Sequence, residues 1–399
     1  MSKVCLVMIV KNESKIIERC LNSVKDSIDY WVICDTGSTD NTQIIIKEFF
    51  KKHNIPGELH EDEWIDFGYN RTKAFDKAKA SIFNKKEFGN ENKPKYYYVI
   101  DADDIYVGDP LKEKLTYAME KDSYCLTIKY KKLIYIRKQL FNVKQNWRYV
   151  GVLHEFAECD KINYTKDTLL NSHVLANTEG ARSKDPNKYK KDAQILLNGI
   201  KKEPNNARYY FYLANSFFDC NDFKNAKFYY YRRIEMKGWD EEVYYSMYRF
   251  AVCKSKLQIT NDFEEVLYDY LKAFNYRKTR LEALYEIIRY YRNKNNFALG
   301  YAYGMLGYEA SKKYPKDMLF INNEIHTYKF IDELSVCAWW VGNPFLSLSL
   351  TNKLLKLNIK QHEDRYKKNK DFSIKKIKEL NIELENQLNN ELENQLNNK

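Results

Sequence analysis

Apolar residues arrive in two distinct rhythms along this chain. Val4 to Val10 is an unbroken apolar run, the pattern of a strand buried on both faces of a parallel sheet. Polar Lys11-Asn12-Glu13-Ser14 follows, and Ile16, Ile17, Cys20, Leu21 and Val24 then repeat at helical spacing. A second strand, Tyr30 to Cys34, runs into Asp35-Thr36-Gly37-Ser38-Thr39-Asp40-Asn41-Thr42, which opens a helix over Gln43 to Lys52. A third, Tyr96 to Ile100, ends on Asp101-Ala102-Asp103-Asp104. This β-α-β-α order predicts an open, Rossmann-like α/β domain over residues 1–180, with ligands at the carboxyl ends of the strands.

From about Pro186 the pattern is helical only. Amphipathic segments are predicted at Asn206–Cys220, Asp222–Lys237, Asp240–Lys256, Phe263–Phe274, Arg280–Asn293 and Phe297–Lys313. Helix pairs begin near 207, 241 and 280, and the first two starts lie 34 residues apart, the tetratricopeptide period. Leu213-Ala214, Ala226 and Tyr230 fit the small-and-aromatic positions of such repeats. Residues 181–358 are therefore expected to form an all-α, repeat-like domain. Consecutive tyrosines at 229–231 cannot all face inward, so an exposed Tyr surface beside Arg232 and Arg233 is expected. Residues 359–399 carry a duplicated octad from Glu383 and Glu391, expected as a frayed polar tail.

Composition narrows the class. At 44% apolar and 15% aromatic the chain can bury a large core, which excludes global disorder. The first apolar run is far short of the roughly 20 residues a membrane span needs, and no signal-peptide pattern precedes it. A cytoplasmic protein is expected, in the host cytoplasm if viral. The eight cysteines are scattered without a Cys-x-x-Cys pair, so reduced core thiols rather than zinc ligands are expected. The net charge of +11 comes from scattered residues without a nucleic-acid-binding signature, and a positive surface also suits a phosphorylated substrate.

Three polar clusters follow strands or open helices. Two carboxylates at i and i+2, Asp101 and Asp103, can face a hard divalent cation shared with substrate phosphates. An acidic strand end by itself is common. Asp35 precedes a helix cap supplied by Thr39 or Asp40 and so stays free for a ligand. In Asp66-Phe67-Gly68-Tyr69-Asn70-Arg71, Asn70 and Arg71 are candidates for a diphosphate, Arg through planar charge-assisted contacts. Together these clusters point to a nucleotide site.

Val7-Met8-Ile9-Val10-Lys11-Asn12-Glu13, Cys34 to Asp40 and Asp101-Ala-Asp103-Asp104 resemble family 2 glycosyltransferases of the GT-A fold. The Asp66–Arg71 segment, Trp147 to Glu155, Phe211 to Ala214 and Gly238 to Tyr245 resemble the branch in which that domain precedes tetratricopeptide-like repeats. The likeness covers roughly residues 3 to 355. It implies inverting transfer of a hexosyl-type sugar from a nucleotide-sugar donor, UDP-linked, to a protein or glycan. Asn12, Glu13 and Asp35 would meet the nucleoside, and Asp101 the ribose or sugar. Asp103 would bind Mn²⁺ or Mg²⁺ at the diphosphate, with His173 as a late ligand. Relatives often place a Glu-Asp pair at the acceptor hydroxyl. This chain has His154-Glu155 there, with Glu155 the first candidate base and His154 the alternative base or a ligand. Trp147 would form an aromatic wall. Two rivals remain: an inactive transferase-like adaptor acting through its repeats, and a nucleotidyltransferase, whose usual Gly-rich phosphate loop is missing here.

Overall fold

The computed structural model describes residues 3–84, 93–118, 120–131, 133–257 and 263–397. The chain divides into two compact units, Met1–Ser216 and Phe217–Lys399.

The first unit is built on β1 (Val4–Val10), α1 (Ile17–Val24), β2 (Tyr30–Asp35), α2 (Thr42–Lys52), β3 (Gly57–Glu61), α3 (Phe67–Asn84) and β4 (Tyr96–Val99). The strands β3-β2-β1-β4 are parallel neighbours. Alternation along each strand feeds two cores. Val4, Leu6, Met8 and Val10 join Trp31, Ile33, Tyr96 and Tyr98 under α1 and α2. Cys5 and Val7 join Tyr30, Val32, Cys34, Tyr97 and Val99 under Ala74, Phe75, Ala78 and Ile82 of α3. That two-sided burial is why these strands read as continuous apolar runs. Strand β3 escaped the sequence reading because Gly57-Glu-Leu-His-Glu61 is a polar, half-buried edge. Its Gly57 is required: a Cβ there would lie 2.3 Å from the Trp31 ring.

The sheet then turns mixed. After β5 (Ile105–Gly108) and α4 (Leu111–Tyr117) come β6 (Ser123–Tyr130), β7 (Leu133–Asn142), the small hairpin β8 (Trp147–Val150) and β9 (Phe156–Cys159), and β10 (Lys166–Leu175). The eight-stranded order is β3-β2-β1-β4-β7-β6-β10-β5, with β7 antiparallel to β4. The sheet ends close to the division expected at residue 180. The compact unit nevertheless continues through α5 (Ala181–Lys184), α6 (Lys188–Lys202) and most of α7 (Ala207–Asp219). Leu196 and Tyr209 are buried, and Gly199 lies close enough to Val152 and Tyr209 that a Cβ would collide with both.

The second unit holds α8 (Phe223–Glu235), α9 (Asp240–Leu257), α10 (Phe263–Tyr276), α11 (Glu282–Asn293), α12 (Phe297–Tyr308), α13 (Phe330–Trp340), α14 (Pro344–Lys356) and α15 (Glu363–Asn397). The helices expected from periodicity stand within a few residues of their predicted ends. Two expectations need correction. Tyr230 is buried and Tyr231 exposed, but Arg233 is also buried, paired with Glu242 rather than offered to a partner. The tail is α15, a continuous helix, rather than frayed chain; most of the duplicated octad's side chains lie outside the described ones. All eight cysteines are free thiols, six of them buried. Among the described residues no helix is long and apolar enough to cross a membrane.

Candidate active site

The carboxyl ends of β1 and β4 open onto a cleft of about 700 Å³. Its lining includes Lys11, Asn12, Glu13, Trp64, Phe67, Arg71, Asp101, Asp103 and, from the opposite wall, Gly180 to Ser183 and one side of α6. Two parallel strands leave their last carbonyls and first loop residues here, so the polar residues gather without any one being buried by a helix.

Arg71, one turn into α3, is the hub. Its Nη2 lies 2.6 Å from Asp101 Oδ1 and its Nε donates to Glu155 Oε1 at 2.8 Å. Its side chain is only 14% exposed, and its guanidinium lies over Tyr149. Arg137 of β7 reaches the other Asp101 oxygen at 3.4 Å and Asp104 at 3.2 Å. Burial alone would raise the Asp101 carboxyl, but Arg71 and Arg137 outweigh it and hold the group well below the usual range. Asp104 has less compensation: burial and the Asp101 charge push it up to about 7.

Asp103 and Glu13 face each other across Gly180. Gly180 N–H donates to Asp103 Oδ2 and Ala181 N–H to Glu13 Oε2, both at 3.2 Å. A Cβ on Gly180 would sit 3.2 Å from both carboxylates. Burial, with Asp103 and Asp40 nearby, lifts Glu13 to about 7, and burial with Asp101 nearby raises Asp103. Lys184 offsets part of that rise at Glu13. Among the described residues no three His, Cys, Asp or Glu side chains converge as a closed metal cage.

Asn12, with φ at 58°, accepts from Thr39 N–H at 2.7 Å and ties together the loops that follow β1 and β2. Asp35 is buried: Oδ1 accepts from Gly37 and Ser38 N–H, while Oδ2 has no partner among the described residues. A buried carboxylate oxygen without a donor is costly unless a ligand completes it.

Three expected residues are placed elsewhere. Asn70 is buried and turns away from any diphosphate, accepting from Ile65 N–H and donating to the Glu63 carbonyl to brace the loop before α3. Trp147 belongs to the core, its Nε1 donating to the Asn142 carbonyl and its ring against Phe141 and Tyr164. His173 pairs across the sheet with Thr127, which pairs with Ile136. Strands β6 and β7 stand between β10 and β4, the strand that runs into Asp101. It does not join Asp101 and Asp103 as a third ligand.

His154, at φ 55°, stacks on Tyr212 with ring centroids 3.8 Å apart. The residue is exposed overall, but desolvation of the ring against Tyr212, with Arg182, Arg208 and Lys188 close by, pushes it down to about 4. Glu155 Oε2 has no partner among the described residues. Sequence reading missed Arg137, Gly180 and the aromatic pair Trp64 and Phe67, the latter capped by Arg182 at 4.7 Å.

Residues 5–146 match glycosyl transferase family 2. Over 99 residues the chain is 37% identical to the SPbeta prophage-derived glycosyltransferase SunS of Bacillus subtilis, 25% of this chain and 19% of that protein. It is 42% identical over 74 residues to a TPR repeat-containing protein of Synechococcus elongatus, 18% of this chain and 17% of that one. The chain thus spans under a fifth of these curated relatives. Among solved structures, S. aureus TarS 1–349 in complex with UDP-GlcNAc aligns with 68% of this chain and 92% of its own, at 13% identity and a TM-score of 0.36, too slight a likeness to carry weight. The motif resemblance and the family match coincide on the same strand ends: the amino-terminal part of this chain is a glycosyl transferase family 2 domain.

Proposed function

We propose that the protein transfers a sugar, with inversion, from a UDP-linked donor to a hydroxyl of a protein or glycan acceptor. The observation that carries this reading is the gathering of Glu13, Arg71, Asp101 and Asp103 at the carboxyl ends of β1 and β4 within the family 2 domain. Asp35, with its unpartnered oxygen, and Asn12 are suited to the nucleoside. Arg71 and Asp101 are suited to the diphosphate and ribose side.

The cleft's charge supports a divalent cation. Lys11, Arg71, Arg182, Lys188 and Lys191 are matched by Glu13, Asp101, Asp103, Asp185 and Asp192. A diphosphate would leave this balanced cleft negative, so a Mn²⁺ or Mg²⁺ ion entering with it restores neutrality. Such ions bind through one or two carboxylates plus phosphate oxygens, which fits Asp103 with Glu13 beside it and needs no closed cage. When bound, the ion would offset negative charge on the departing diphosphate.

Inversion requires one displacement: the acceptor oxygen bonds to the anomeric carbon as the bond to the diphosphate oxygen breaks. The acceptor proton then needs a base. Glu155 offers Oε2 while Arg71 fixes Oε1. His154 is the weaker candidate, because its ring stacks on Tyr212 instead of joining the Arg71 cluster.

The test is incubation with a panel of nucleotide sugars and Mn²⁺, reading products by chromatography. Release of nucleoside diphosphate supports the proposal. Release of sugar 1-phosphate, with nucleoside triphosphate formed when pyrophosphate is supplied, would instead indicate nucleotidyl transfer, and no turnover of any donor would sink the enzymatic reading.

A further inference from the structure

Arg137 lies near the middle of β7, on the sheet face it shares with Tyr135 and opposite Ile136. It is the second guanidinium on Asp101 and the only charged side chain of the described residues bonded to Asp104. The resulting chain of charges runs Glu155, Arg71, Asp101, Arg137, Asp104, alternating in sign at every step. Asp101 is therefore gripped on both oxygens, from α3 on one side and from β7 on the other. Asp104 is 3% exposed and accepts from Asn177 N–H through its other oxygen, so the Arg137 fork has an anchored far end. A guanidinium can bridge two carboxylates in this way; an ammonium, a single point of charge, cannot hold both with the same geometry.

We propose that Arg137 is a positioning residue for donor binding: acting through Asp101, it fixes the orientation of that carboxylate toward the nucleotide sugar. This rests on the reading of the cleft as a nucleotide-sugar site. Without Arg137, Asp101 keeps only Arg71 and is free to rotate away from the donor. The surroundings of the cleft meanwhile lose one positive charge, whichever residue stands at position 101. The first effect needs Asp101; the second does not, which makes the two separable.

The experiment is a double-mutant cycle on the full chain, Arg137→Gln and Asp101→Asn alone and together, with donor Kd by calorimetry and Tm by thermal melt. The donor is whichever of UDP-glucose, UDP-galactose and UDP-N-acetylglucosamine the unaltered chain turns over with Mn²⁺. Arg137→Gln should weaken donor binding about tenfold in the natural background and less than twofold beside Asp101→Asn. Arg137→Lys, which keeps the charge, should fall between the two. Acceptor KM should not change. Equal weakening in both backgrounds would overturn the proposal in favour of a general charge effect. Unchanged donor Kd in Arg137→Gln would overturn it outright, as would full rescue by Lys. If Arg137→Gln fails to fold, the same cycle run with Arg137→Lys decides, at the smaller expected effect. An unaltered chain that turns over none of the three donors overturns the functional reading instead, and this inference with it.

Discussion

Replacing Glu155 with Gln separates proton acceptance from every other role this side chain could have. Gln keeps the length and retains an oxygen to accept the Arg71 Nε–H, so the 2.8 Å contact that orients residue 155 survives. What is lost is the negative charge and the basic Oε2. Loss of a positioned general base costs about 10²–10⁴-fold in rate, which at about 1.4 kcal/mol per decade is roughly 3–6 kcal/mol of transition-state stabilisation. The contact with Arg71 sets a second bound. Arg71 is also bonded to Asp101 at 2.6 Å, so it remains ionised and paired after the change, and the donor side of the cleft should be preserved. Donor Kd should therefore stay within about threefold while kcat falls at least a hundredfold.

Steady-state kinetics with calorimetric donor binding provide the measurement, with His154→Gln as the companion. If His154 were the base, the pH–rate profile would carry its inflection near 4 and His154→Gln would show the large kcat loss. The reasoning fails if Glu155→Gln keeps kcat within about threefold of normal. It fails equally if donor binding collapses, because Glu155 would then hold Arg71 for the donor rather than act on the acceptor.

Asp103→Ala should lower turnover at least a hundredfold and abolish stimulation by Mn²⁺, with Tm nearly unchanged; persistent Mn²⁺ stimulation would move the cation elsewhere. Asn70→Ala removes both bonds that brace residues 63–65 and should cost about 1–3 kcal/mol in urea denaturation, while donor Kd in the folded fraction remains normal. Acid should act on His154 through folding. Its imidazole titrates near 4 when folded and near 6.5 when unfolded, so the unfolded chain binds more protons between those values and stability falls as pH drops through that window. His154→Gln should thus gain on the natural protein between pH 7 and pH 4.5, read from urea midpoints. A gap that does not change with pH would show that the imidazole is not held neutral.

What could be read from sequence follows the reach of its signals. Strands β1, β2 and β4 announce themselves because burial on two faces demands apolar residues at every position, and the helices of the second unit because period 3.6 persists over many turns. Strand β3 is silent for the opposite reason, being a half-buried edge. The same distinction governs the site. Asp101 and Asp103 follow a strand that is itself legible, so their location at the cleft follows from the local pattern, and Asp35 ends another such strand beside it. Asn70 and Trp147 do not obey that logic. Each is a polar-capable residue in a suggestive segment, but its hydrogen bonds are made within its own loop, and local sequence cannot tell a side chain that braces a turn from one that awaits a ligand. His173 fails through strand order, since β6 and β7 come to lie between its strand and β4.

Arg137 shows what a reader could have looked for. A charged residue on the same strand face as positions packed into the core is costly unless paired. Arg137 pairs with the buried Leu126, and a slip in register before Leu140 puts it on the Leu140 side of the sheet rather than the Phe141 side. The sequence holds the demand for a buried partner, yet the partners, Asp101 and Asp104, lie more than thirty residues upstream and arrive only because β7 runs antiparallel beside β4. Gly180 is harder still. Its role is the absence of a side chain where two carboxylates close in, and that constraint exists only once β10 has returned the chain over the ends of β1 and β4. Catalytic geometry of this kind is therefore a property of strand order: residues at strand ends can be nominated from local pattern, whereas those that hold them in place are assigned by which strands become neighbours.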